Sequence, residues 1–259
     1  MDNAALEGKI VVVTGAAIGI GYAICERCLN AGAKVILNDV DKDAAQQAVD
    51  TLAQQHHPAS VAVHVGSTAE PPAIQSLLDT AKTTFGSVDV VIANAGITLF
   101  KPFLETSLAE FDKVVNVNLR GSYALAQAAA QLMKAQGSGG RIILMSSCVG
   151  KLAIEGLSVY SMTKAGLRML ARSLALELGQ YGITVNAIAP GATLTERTAL
   201  ELPDYAGSWG GLLPTKQVGT PEDIAEAALF LASPAAKQIS GITLEVDGGW
   251  SSMGSEPSS

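Results

Sequence analysis

Cysteine is scarce in this chain: three residues in 259, an odd number that forms no disulfide framework. That usage points to a reducing compartment, and a cytoplasmic protein is expected. Charged residues are also few, at 16%, while 48% are hydrophobic, so disorder is excluded for most of the chain. The formal net charge is −7 and no basic run of five or more residues exists, so neither nucleic acid nor an anionic membrane surface is an expected partner. The opening MDNAALEGK carries Asp and Glu where a secretory or transit signal carries Lys or Arg. No apolar run exceeds strand length, so nothing spans a bilayer. The three histidines lack ligand spacing, and no metal site is expected.

What is present is a regular alternation. KIVVVTG, AKVILND, SVAVHV and VDVVIANAG read as β-branched strands, each of the first three followed by a helical pattern. A helix over roughly residues 109–136, the strand GRIILMSS, a helix from near Tyr160 to about Gly179, and the strand GITVNAIAPG continue it. TPEDIAEAALFLAS is a helix with Thr220 as its N-cap and Pro221 at the first helical position, and GITLEVDGG is the last strand. Continuous apolar strands suit a sheet buried on both faces. The expected fold is α/β: a single-domain, doubly wound (Rossmann) seven-stranded parallel sheet with helices on both faces. It is expected over 1–250, with no internal repeat or linker, and with 251–259 as a disordered tail. Residues 192–216, with Pro203, Pro214 and GSWGG, break the pattern and are expected to form a substrate lid.

TGAAIGIG, from Thr14 to Gly21, lies where the first strand turns into the first helix. Glycines let backbone approach a ligand there, and the helix N-terminus offers free N–H groups and a positive dipole end, which suits a pyrophosphate. Gly15, Ala17, Ile18, Gly19 and Ile20 are the expected contacts. Asp39 ends the second strand at the distance expected of a group that binds ribose hydroxyls, and its charge repels a 2′-phosphate. Position 18 is Ile and position 40 is Val, so no cation waits for that phosphate, and NAD is expected over NADP. Asn94, Ala95 and Gly96 at the end of the fourth strand offer a small floor beside the ribose.

Tyr160 and Lys164 stand four residues apart, on one helix face. A free tyrosine has a pKa of about 10, too high for an efficient base near neutrality. A neighbouring cation lowers it, so the pair reads as an activated phenol.

Thr14-Gly15-x-x-x-Gly19-Ile20-Gly21, Asn94-Ala95-Gly96, Asn118, Ser147, Tyr160-x-x-x-Lys164 and Pro190-Gly191 occur in an order and spacing that resembles the short-chain dehydrogenase/reductase family, and the resemblance runs over essentially the whole chain. It implies an NAD(P)-dependent enzyme acting on CH–OH groups, with Tyr160 as general acid/base. It implies that Ser147 hydrogen-bonds the substrate oxygen, and that the backbone carbonyl of Asn118 holds a water against Lys164. It further implies cofactor contacts at Pro190, Gly191, Thr193 (through backbone) and Thr195 (through its side chain), and a homotetramer. The Ala- and Leu-rich helices over SYALAQAAAQLM and AGLRMLARSLALELG agree with self-association.

One departure is visible: VHVGSTAE lacks the Asp with which the family touches adenine, leaving the backbone at Val65 and Gly66 for that contact. Cys25 and Cys28, a C-x-x-C inside the first helix, read as packing residues. Leu152, Ile154 and Trp209 are expected as apolar pocket walls, and Glu155 as a group for a substrate hydroxyl. The expected function is NAD-dependent interconversion of a secondary alcohol and a ketone, the substrate being a sugar or polyol, a cyclic alcohol or a hydroxysteroid. The alternatives are 3-oxoacyl-[acyl-carrier-protein] reduction, disfavoured by Leu176 where such enzymes tend to carry Arg, and a non-catalytic NAD-binding regulator.

Overall fold

The structure, a computed structural model, describes residues 5–253. Seven strands form one parallel sheet: β1 (Ile10–Thr14), β2 (Lys34–Asp39), β3 (Val61–Val65), β4 (Val90–Ala93), β5 (Gly140–Met145), β6 (Ile183–Pro190) and β7 (Thr243–Val246). Their order is β3-β2-β1-β4-β5-β6-β7, so the winding reverses between β1 and β4. Ligands of open α/β sheets bind outside the strand C-termini at such a reversal.

The register explains why the strands read as continuous apolar runs. Val11 and Val13 face one core, with α1 (Gly19–Asn30), α2 (Lys42–Gln55) and α9 (Pro221–Ala232). Ile10 and Val12 face the other, with α3 (Pro71–Phe85), α5 (Ser122–Gln136) and α6 (Ser158–Leu178). Alternate residues of a strand point to opposite faces, so a strand covered on both sides must be apolar at every position. Cys25 and Cys28 lie fully buried in α1, and burial pushes the Cys28 thiol up to about 12, which leaves it an inert packing residue. Thr220 caps α9 and forms a capping box with Asp223.

The helix expected over 109–136 is interrupted. It begins as α4 (Leu108–Val115), passes through a π-helical segment at Asn116–Gly121, and resumes as α5. Such bulges collect at functional sites, and this one carries Asn118. The segment 192–216 also has structure of its own: two short helices, α7 (Glu196–Glu201) and α8 (Tyr205–Gly210), capped by Thr195 and Asp204. The tail expectation is corrected in part. Trp250–Ser252 form a 3-10 turn with Ser251 buried, because Asp247 accepts from the N–H groups of Gly249 (2.9 Å) and Ser251 (2.8 Å); residues 254–259 lie outside the described residues. No helix among the described residues is long and apolar enough to cross a membrane.

Candidate active site

A cleft of about 820 Å³ opens above the C-terminal ends of β1, β4, β5 and β6. Its first wall is the β1–α1 loop. Gly15 has φ of +60°, and a Cβ there would stand 2.7 Å from Ala95 Cα, so glycine is required for the loop to lie against the end of β4. Thr14 and Asn94 fasten the two together: Asn94 Nδ2 donates to the carbonyls of Thr14 (3.0 Å) and Gly15 (2.8 Å), while Thr14 Oγ1 accepts from the N–H groups of Asn94 and Ala95. Ile18, the N-cap of α1, supplies no side-chain acceptor, so the first-turn N–H groups face the cleft without a cap. Gly15, Ala17, Ile18, Gly19 and Ile20 all line it. Glycine cradle and uncapped helix together fit a diphosphate.

Asp39 lines the next part of the cleft. Its carboxylate accepts from the N–H groups of Ala17 (3.1 Å), Val40 (2.7 Å) and Asp41 (3.1 Å), so it both shapes the turn and presents negative charge to the ligand. Ile18 and Val40 flank it exposed. Gly66, Ser67 and the buried Thr68 line the cleft beyond β3, and Val65, whose expected contact is through its backbone, is exposed at the strand's end.

Ser147, Tyr160 and Lys164 meet in the cleft. Lys164 is almost fully buried; Nζ donates to Met145 O at 2.7 Å and lies 5.4 Å from the Tyr160 ring centroid. Ser146, a buried neighbour of Ser147, donates from Oγ to the Lys164 carbonyl at 2.7 Å and so seats α6 on β5. Burial, and secondarily the Arg197 guanidinium, push the Lys164 ammonium down to about 8. Burial also pushes the Tyr160 phenol up, and the leading opposing influence is Arg197, followed by the Ser147 hydroxyl, with Thr98 weaker. Lys164 is placed beside the phenol as expected, and in the protein alone desolvation is the leading influence on Tyr160.

Asn118 is fully buried beneath the cleft rather than on its wall. Its side chain clamps Ile97, accepting from the N–H (2.8 Å) and donating to the carbonyl (2.9 Å), and its own carbonyl accepts from Ser122 Oγ at 2.8 Å. Pro190, Gly191, Thr193 and Thr195 line the far side with Gly96. Thr193 Oγ1 donates to Gly191 O (3.1 Å), and the Thr195 hydroxyl is engaged with Thr198 in the α7 capping box. Of the expected pocket walls, Ile154 and Trp209 line the cleft, whereas Leu152 and the exposed Glu155 do not. Ile154 and Leu157 take the inward positions of that turn and leave Glu155 to solvent.

Trp209 has companions in the cleft that sequence reasoning missed: Tyr205, Trp250 and Arg197. Tyr205, Trp209 and Trp250 form an aromatic wall, with Trp209–Trp250 centroids 5.4 Å apart in a T-shaped arrangement. Arg197 reaches from α7 to Thr98, its Nη1 donating to Oγ1 at 2.9 Å. Their partners are distant in sequence, which is why periodicity could not reveal them.

Comparisons with known proteins agree with this geometry. A family model described as enoyl-(acyl carrier protein) reductase matches residues 15–251. The chain is 39% identical over 250 residues to an L-rhamnose 1-dehydrogenase (NAD(P)(+)) of Sphingomonas sp. (strain SKA58), covering 94% of this chain and 96% of that one. It is 36% identical to the 7alpha-hydroxysteroid dehydrogenase of Escherichia coli (strain K12), covering 96% of each. Among solved structures, a short-chain type dehydrogenase/reductase from Mycobacterium marinum superposes with a TM-score of 0.90 at 31% identity, over 96% of this chain and 98% of that one.

Proposed function

The chain belongs to the short-chain dehydrogenase/reductase family and is an NAD(P)-dependent oxidoreductase of CH–OH groups; on that premise we propose that it prefers NAD and interconverts a secondary alcohol and a ketone through Ser147, Tyr160 and Lys164. The observation that carries this reading is the convergence of those three side chains at one end of a cleft whose other end has a glycine cradle and Asp39. A nicotinamide dinucleotide held there would supply the hydride acceptor for oxidation of a carbinol and the hydride donor for reduction of a carbonyl.

The residues divide the remaining work. The uncapped N-terminus of α1 and the Gly15–Ile20 backbone hold the diphosphate. Asp39 accepts from the ribose hydroxyls and disfavours a 2′-phosphate. Ser147 donates a hydrogen bond to the substrate oxygen, and Tyr160 takes its proton during oxidation and gives one back during reduction. Lys164, fixed by Met145 O, keeps a cation beside the phenol and the ribose. Asn118 acts on the site through the backbone at Ile97. The segment 192–216 serves as the substrate lid: the bonds from Gly219 N–H to Ala192 O and from Leu194 N–H to Gly219 O, each 2.9 Å, tie its base.

Two partners of the reading concern assembly and place. The exposed Tyr123, Met169 and Leu176 on α5 and α6 support a homotetramer formed across these helices, and the cysteine usage supports a cytoplasmic location. The test is turnover. Tyr160→Phe should bind NADH with little change yet lose about 10²- to 10⁴-fold in kcat on any alcohol the native protein oxidises; a fully active variant overturns the mechanism.

A further inference from the structure

The reacting end of the cleft has an unbalanced charge. Lys164 and Arg197 both line the cleft, the Arg197 guanidinium is bound to Thr98, and its charge acts on Lys164. Lys113 lines the same cleft, exposed on α4. Glu196, Glu201 and Asp247 are carboxylates near this end of the cleft; Asp247 acts on the cleft residue Cys148, but its oxygens already accept from the N–H groups of Gly249 and Ser251. Glu196 lines the cleft, but its Oε2 stands over Gly19, 3.5 Å from where a Cβ would lie, at the diphosphate end. Glu201 is 3.7 Å from Arg197, one turn along α7, with both side chains more than half exposed, so water and salt screen the pair. Cys148 and Tyr205, the other titratable groups here, are held neutral by burial.

The guanidinium keeps donors free. One N–H is given to Thr98 Oγ1, and the planar fork has four more. Thr98 also neighbours the Tyr160 phenol, so a single side chain separates the guanidinium from the atom that handles the reacting proton. Across the cleft stand Tyr205, Trp209 and Trp250, which offer apolar faces and no charge. A neutral alcohol would leave Arg197 and Lys164 repelling each other in a space that substrate binding dries; a carboxylate would neutralise them and match the fork with two parallel hydrogen bonds.

We propose that the substrate is a hydroxy acid whose carboxylate, a few bonds from the reacting carbon, is bound by Arg197. The inference rests on the proposed dehydrogenase reading and names the substrate class for it. In oxidation the carbinol carbon gives its hydride to the nicotinamide and its oxygen gives its proton to Tyr160; the carboxylate is a handle and is unchanged.

The experiment measures NADH formation with aldonates of five and six carbons and with the alditols of the same carbon skeleton, for the native protein, Arg197→Lys and Arg197→Gln. An aldonate should be preferred in kcat/KM by about tenfold or more, Arg197→Gln should reduce that ratio by about tenfold, chiefly through KM, and Arg197→Lys should restore part of it. Turnover confined to alditols or other neutral alcohols, or an acid preference that Arg197→Gln leaves unchanged, overturns the hydroxy-acid proposal and leaves the dehydrogenase reading standing. Absence of NADH formation with aldonates, alditols, sugars and cyclic alcohols alike overturns both.

Discussion

Arg168 holds the backbone of Ser147: Nη2 donates to the Ser147 carbonyl at 2.8 Å, while Nη1 pairs with Glu245 Oε1, also at 2.8 Å. The guanidinium thus ties the residue that faces the substrate oxygen to β7 at the sheet edge, two turns beyond Tyr160 on α6. Arg168 touches neither substrate nor cofactor in the proposed mechanism; it is a positioning residue. Arg168→Gln should lower kcat by about tenfold or more with a smaller change in KM, because misplacing Ser147 acts on the transition state. Glu245→Gln should give a weaker loss, and the double variant should lose less than the two singles combined, with a coupling of about 1 kcal/mol. Equal, fully additive losses in a steady-state kinetic cycle would show that the network acts by stability alone.

Lys164 makes stability depend on pH. Its folded value is about 8 against an ordinary 10.5. Between these pH values the unfolded chain binds a proton that the folded chain does not, so stability rises with pH across that window. Below about pH 8 the full cost of burying the charge is present, about 3 kcal/mol for a shift of this size. Lys164→Met removes the term. Denaturation at pH 7 and at pH 10.5 should show the variant's relative stability falling by about that amount; a difference independent of pH contradicts the buried ammonium.

Asp39, proposed to set the choice of dinucleotide, braces its own turn through three N–H groups. Asp39→Asn removes the charge while keeping an acceptor. It should raise the NADP-to-NAD ratio of kcat/KM by about tenfold, the effect of removing roughly 1.4 kcal/mol of repulsion. Asp39→Asn combined with Val40→Arg should raise it further, since Val40 is exposed beside it. An unaltered ratio in both would assign the preference to other residues.

Trp209 and Trp250 pack edge to face from two segments that lie far apart in the chain. Trp209→Ala should raise KM several-fold while changing kcat less, because it removes uniform binding area and not a reacting group. A drop in kcat at unchanged KM would mean that the wall shapes the reacting geometry itself.

The layered α/β architecture was legible in the chain because burial on both faces forces every position of a central strand to be apolar, while the strand order β3-β2-β1-β4-β5-β6-β7 appears only in the structure. The glycines of the β1–α1 loop, Asp39 at the end of β2 and the pairing of Tyr160 with Lys164 were legible for a related reason, each being set by local backbone geometry or by spacing along one element, whereas Ser147 was legible only through the family resemblance. Tertiary structure alone decided what surrounds them. It brought Arg197 to Thr98, Arg168 to Ser147 and Glu245, and Trp250 to Trp209; it left Leu152 and Glu155 off the cleft wall; and it made burial the dominant influence on Tyr160 and Lys164. Contacts between residues that are distant in sequence, and the loss of water around a charge, leave no periodicity in a chain; they exist only once the layers have closed.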